Sequence, residues 1–176
     1  MRDGFQLIAR IPYPLVQPKY LVVASEVATM DFLHLQGIPV PKVYGYSAIA
    51  DNAAGTEYIF MELIRGMNLG DTWDDMPGKD RNTVITKLVE LESRLFALPF
   101  PASGSLYYTK DLQAAEIDRV IIPTRYPEVK SEFCIGPDTA IELWYGKRLD
   151  LQVDRGPCKC GLCFQLPFPV RAISIN

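Results

Sequence analysis

Fourteen prolines cut this 176-residue chain into short stretches, and every helix or strand has to fit between them. Proline has no N–H to donate and a fixed φ, so it ends regular structure instead of sitting inside it. Pro12 and Pro14 close the first stretch, residues 5–11 (FQLIARI). It alternates as a strand does, with Phe5, Leu7, Ala9 and Ile11 on one face and Gln6, Ile8 and Arg10 on the other. Pro18 falls in the loop that follows. Val23, Val27 and Met30 recur at helical spacing, which predicts a helix over 22–36 that stops at Gly37 and Pro39. Lys42–Ser47 and Glu57–Leu63 predict a hairpin about the turn-prone DNAAG at 51–55. Between Pro77 and Pro99 stands the strongest helical pattern, over 80–98. There Val84, Leu88, Leu91 and Leu95 form one stripe, expected to be buried. Beyond Pro99, Ser105–Tyr108 predicts a short strand and Ala114–Ile122 a strand or helical turn. Nothing after Pro157 keeps a period.

Composition narrows the classes. With 48% apolar residues the chain can bury a core, and its length suits one domain or a lobe and a half of a larger one. A net charge of −3 argues against a nucleic-acid binder, whose phosphate contacts need a basic surplus. No apolar run reaches the roughly 18 residues that span a bilayer, so no membrane partner is expected. The N-terminal MRDGFQLIAR, with an acid at its third position, does not read as a targeting peptide, which makes a soluble cytoplasmic protein the default. Cys134 stands alone, whereas Cys158, Cys160 and Cys163 form a C-x-C-x-x-C triplet with no nearby histidine as fourth ligand. Reduced thiols in an irregular tail are expected there in preference to zinc. His34, the one histidine, lies near a helix end, where it meets terminal carbonyls or solvent.

The order is a strand with a basic residue, a helix with a glutamate, two strands, a Met-Glu hinge and a long helix. It resembles the N-terminal lobe of the protein-kinase-like fold and the first helices of its second lobe. The wording is closer to one fungal group, through ARIP (9–12), ASEVATMDFL (24–33), GIPVPKV (37–43), GTEYIFME (55–62), FCIGP (133–137) and DRGP (154–157). Taken in order over residues 5–157, these segments resemble the fungal aminoglycoside-phosphotransferase-like proteins of the altered inheritance of mitochondria protein 9 family. The resemblance implies an α+β, truncated protein-kinase-like fold. Residues 1–65 would be an incomplete N-lobe, a small antiparallel sheet with one packed helix, and the hinge. Residues 66–157 would begin a helical C-lobe with a family-like insert, and 158–176 would be a divergent, disordered tail. ATP would be the cofactor, weakly bound, and the location mitochondrial. Arg10 would replace the strand lysine that holds the nucleotide's phosphates, with Glu26 as its ion-pair partner. Met61 would back the adenine pocket, and the C=O of Glu62 and N–H of Ile64 would meet the adenine edge.

Catalysis in that fold needs an aspartate to orient the acceptor hydroxyl, and an asparagine and second aspartate for magnesium. The first aspartate and the asparagine stand five residues apart. Asn52, Asn68, Asn82 and Asn176 are preceded at that distance by Ser47, Leu63, Pro77 and Arg171, none of them acidic. His34 is followed by Leu35 and Gln36, so no His-Gly-Asp or His-Arg-Asp exists, and Ile117-Asp118 has no catalytic loop before it. Residues 1–4 leave no room for a first strand and phosphate loop. The chain as written is therefore expected to be inactive in phosphoryl transfer, with no catalytic or metal-binding residue assigned. The alternative is a non-catalytic interaction module, whose lobe surface or cysteine tail binds a protein.

Overall fold

The computed structural model describes residues 4–123 and 132–159. In chain order they form β1 (Leu7–Arg10), α1 (Lys19–Leu35), β2 (Val43–Ser47), β3 (Tyr58–Glu62), α2 (Leu69–Thr72) and α3 (Gly78–Phe96). After these come β4 (Ser105–Tyr108), α4 (Thr109–Ala114), β5 (Val120–Ile121) and β6 (Phe133–Gly136), then two short 3-10 turns, Ile141–Leu143 and Gly146–Asp150. The architecture is α+β, with two antiparallel three-stranded sheets ordered β1-β3-β2 and β4-β6-β5.

α1 (KYLVVASEVATMDFLHL) is apolar around much of its circumference, and such a helix must be covered on more than one side. Leu21, Val23, Ala24 and Val27 pack with Ala48 and Ile59 from the first sheet region and with Tyr107, Leu112 and Cys134 from the second. Ala28 and Phe32 join Ala102, Leu106, Phe133 and Ile135 in an adjoining cluster. The core therefore runs across residue 65. α1 begins at Lys19, three residues earlier than the spacing predicts, because the carbonyl of Pro18 already accepts from the N–H of Val22 at 3.1 Å. Its end follows the predicted stop. Gly37 (φ 69°) takes the left-handed conformation, and the Ile38 N–H donates to the Leu33 carbonyl at 2.9 Å, closing a Schellman turn. His34 is exposed in this last turn.

The hairpin is found where the pattern put it, as β2 and β3, with a register shift between Val43 and Gly45. The second sheet is a difference from the helical continuation that the resemblance implied. β6 is buried along its whole length, and Tyr107 lies opposite Cys134 while Leu106 lies opposite Ile135. Two glycines permit this pairing. A Cβ on Gly104 (φ 146°) would sit 2.2 Å from the backbone oxygen of Gly136, and one on Gly136 would sit 2.9 Å from the buried Tyr107 ring. The stretch Ala114–Ile122 resolves into the end of α4, a turn and β5.

The stripe on α3 is corrected. The helix exists at Gly78–Phe96, but none of its residues is buried, and Leu88 is 54% exposed. Amphipathic spacing fixes which face is apolar, not whether anything covers it. α3 is tied back to the rest by Arg94, which donates to the carbonyls of Gln36 (3.1 Å) and Gly37 (2.7 Å). Of the predicted disordered tail, only Cys158 and Lys159 are among the described residues; 160–176 lie outside them. Cys158 exchanges backbone hydrogen bonds with Ser103 at 2.9 Å, and it is disulfide-bonded, so the reading of a reduced thiol fails there.

Replacing Gly104 by alanine should cost at least ~2 kcal/mol, from strain at positive φ and the clash with a backbone oxygen. Gly78→Ala, at an open helix start, should be neutral or stabilising. Urea unfolding of both variants against wild type measures the contrast.

Candidate functional site

Arg10 is the last residue of β1 and pairs across the ladder with Ile59 of β3. Alternation along β1 points it toward α1, where Glu26 stands. The Arg10 Nε lies 2.7 Å from Glu26 Oε1, so the strand–helix ion pair expected from the sequence is formed. Glu26 is three-quarters covered (25% exposed), whereas the Arg10 side chain is 58% exposed. A pair this wet contributes less than ~1 kcal/mol to stability. Its interest lies in the cleft beside it, about 220 Å³, lined by Arg10, Tyr13, Val22, Val23, Glu26 and Ile59 among others. Ile59 is fully buried and forms the apolar floor. Tyr13, Val22 and Ile59 were not assigned to the site from the sequence, and Val23 was read there only as part of the helical stripe. Only the register of β3 against β1, which sets Ile59 opposite Arg10, could have found Ile59.

The three hinge residues are placed differently. Met61 shares the inward face of β3 with Ile59 and packs against the core. Glu62 ends β3, where its N–H donates to the Lys42 carbonyl (2.8 Å) and its Oε2 accepts from the Lys42 N–H (3.2 Å). Ile64 is exposed just beyond. None of the three lines the cleft that holds Arg10 and Glu26. A cleft of this size is smaller than the ~300–1,000 Å³ typical of small-molecule sites. Arg10 gives it a cation, Glu26 a carboxylate beside that cation, and Ile59 an apolar floor. No three His, Cys, Asp or Glu side chains gather among the described residues. Cys160 and Cys163 lie outside those residues.

A second concentration of polar groups ties α1 and β2 to β4 and α4. The Tyr46 hydroxyl donates to Asp111 Oδ2 (3.0 Å), Tyr20 donates to the Asp111 carbonyl (2.7 Å), and Tyr108 donates to Asp31 Oδ2. Lys110 Nζ lies 4.9 Å from the centre of the Tyr108 ring. Burial, reinforced by the nearby carboxylates, pushes the Tyr46 and Tyr108 hydroxyls up, so both remain protonated donors. Burial also raises the Asp111 carboxyl, against the lowering effects of the Tyr46 hydrogen bond and Lys110. Cys134, buried with a thiol likewise pushed up by burial, is poorly suited to nucleophilic chemistry.

Among known proteins, the chain is 39% identical over 168 residues to a subtelomeric hrmA-associated cluster protein of Aspergillus fumigatus. That match covers 95% of this chain and 31% of the relative. It is 36% identical over 152 residues to the altered inheritance of mitochondria protein 9, mitochondrial, of Kluyveromyces lactis, and 33% over 153 residues to the protein of that name from Zygosaccharomyces rouxii. These two matches cover 80% of this chain, and 24% and 25% of the respective relatives. The chain thus has fungal homologues of both names and spans a quarter to a third of their length. No protein-family model matches it, and no solved structure does.

The raised Asp111 carboxyl has a consequence for stability. Its folded pKa exceeds the unfolded value of 3.8, so the protonated form is favoured by folding. The stability this group contributes is fully present below the unfolded value and is lost as pH rises through the folded one. Asp111→Asn keeps an acceptor for Tyr46 without the charge. Its stability relative to wild type should rise between pH 3.5 and pH 7, measured by paired thermal melts; a relative loss at pH 7 would contradict the assignment.

Proposed function

We propose that this chain carries the phosphate-holding half of a kinase-like nucleotide site, binds ATP weakly through it, and does not transfer the phosphoryl group. The observation that carries the reading is the Arg10–Glu26 pair, a cation on a strand held at 2.7 Å by a glutamate on the packed helix. In kinase-like phosphotransferases a strand cation and helix glutamate so arranged orient the nucleotide's phosphates. The element order supports the same reading, with an antiparallel β1-β3-β2 sheet against α1 and Met61-Glu62 at the end of β3. Arg10 would engage phosphate oxygens, and the backbone of Glu62 and Ile64 the adenine edge. The separation of those two groups and the small cleft both argue for low affinity. The sequence has no aspartate five residues ahead of an asparagine, so its residues do not fit the magnesium site that such catalysis uses. A mitochondrial location follows by analogy with the relatives whose name states it. The second reading, a non-catalytic interaction module, is favoured by the uncovered apolar face of α3.

The test pairs a fluorescent ATP-analogue titration with a magnesium-dependent ATPase assay. Saturable binding should weaken about tenfold in Arg10→Ala, the loss of a charge-assisted hydrogen bond of ~1.5 kcal/mol. Turnover should not exceed background. Absence of saturable binding, or equal binding by the variant, removes the nucleotide reading. Magnesium-dependent turnover that Arg10→Ala abolishes would overturn the inactivity.

A further inference from the structure

We infer that the apolar face of α3 is the dimerisation surface of this chain, closing on the same helix of a second copy in parallel orientation. The helix has 19 residues, close to 28 Å at ~1.5 Å per residue, and none of them is buried. Val84, Leu88, Leu91 and Leu95 follow one another at spacings of four, three and four, the a/d seam of a two-stranded coil. Along that seam Leu88 and Leu95 are exposed and Val84 and Leu91 half-buried, and Ile85 and Val89 extend the exposed apolar face to either side.

Charge selects the partner and its direction. With Leu88 and Leu95 at the a positions, Lys87 and Arg94 fall at g, and Ile85 and Glu92 at e. In a parallel pair each g residue faces the e residue five positions on in the other helix, so Lys87 meets Glu92 of the second copy. Two-fold symmetry makes that contact twice. An antiparallel pair would set g against g, Lys87 against Arg94, two cations. Arg94, fixed by the Gln36 and Gly37 carbonyls, keeps its positive charge at that rim, and in the parallel pair Lys87 and Glu92 set the register. Within one chain Lys87 pairs with Glu90, at 2.8 Å with both side chains more than half exposed, a contact weak enough to exchange.

Sedimentation of the full chain over a wide concentration range tests this. Wild type should show a reversible monomer–dimer equilibrium. Leu88→Glu should shift it to monomer without changing the circular dichroism, since Leu88 lies outside the core. Lys87→Glu and Glu92→Lys, each with like charges facing across its own dimer, should self-associate at least fivefold more weakly than wild type. Mixed together, the two variants should form a heterodimer as tight as wild type, because opposite charges then meet at both rims. A chain that stays monomeric up to ~1 mM would overturn the proposal and leave the face to a different protein. Association indifferent to Leu88→Glu, or a mixture no tighter than either variant alone, would also overturn it, pointing to another surface or orientation.

Discussion

α1 is gripped from two sides, by β3 and by β4, and the positions of the remaining elements follow from that burial. Three-stranded sheets as short as these are marginal without something packed on them. Here one helix serves both, with Val23, Ala24, Val27 and Ala28 almost wholly removed from solvent. Small side chains at Ala24, Ser25 and Ala28 are what let strands approach so closely. Overfilling them would force the sheets apart, at a cost of about 1–3 kcal/mol for each enlarged residue. Glu26 sits between these buried neighbours on the side of α1 that meets the end of β1. The helix is thereby rigid where it presents its carboxylate, and Arg10 finds the glutamate in place.

Apolar packing has little direction of its own, and hydrogen bonds fix the register of α1 against the second sheet. Tyr108 reaches Asp31, and Tyr20 and Tyr46 both reach Asp111. The segment 138–157 is knotted on the outside of this assembly. Trp144 Nε1 donates to the Asp138 carbonyl, the Asp138 N–H donates to the Arg155 carbonyl, and the Arg155 guanidinium lies 4.0 Å from the centre of the Trp144 ring. The DRGP and FCIGP segments that carried the sequence resemblance therefore act in holding the chain together. The Arg10–Glu26 contact draws on a different part of it, ARIP and ASEVATMDFL.

Much of this was legible in the residues. Prolines and Gly37 bounded α1 and α3 to within three residues, alternation found β1, and the turn-prone DNAAG between two strand-like runs found the hairpin. Of the second sheet, β4 was legible at Ser105–Tyr108, but β5 and β6 were not. β6 (FCIG) is buried on both faces, so it shows no alternation, and β5 has two residues, too few for any period. The stripe on α3 was seen but misjudged, since spacing reports a face and not its cover. At the site, Arg10 and Glu26 were paired through the resemblance, which sets a strand cation against a helix glutamate, and the 2.7 Å contact is there. Ile59 and the Tyr–Asp contacts depend on register across 49 to 91 positions of sequence, which local patterns do not carry.

The proposed site has Arg10, Glu26 and the end of β3 meet one nucleotide. Its most direct test is a nuclear magnetic resonance titration of the isotope-labelled chain with ATP, adenosine and inorganic triphosphate, following the Arg10 Nε–H and the backbone amides of Glu26, Ile59, Glu62 and Ile64. ATP should shift both groups of signals, triphosphate mainly Arg10 and Glu26, and adenosine mainly Glu62 and Ile64. Shifts confined to other surfaces, or no shift at millimolar ATP, would contradict it.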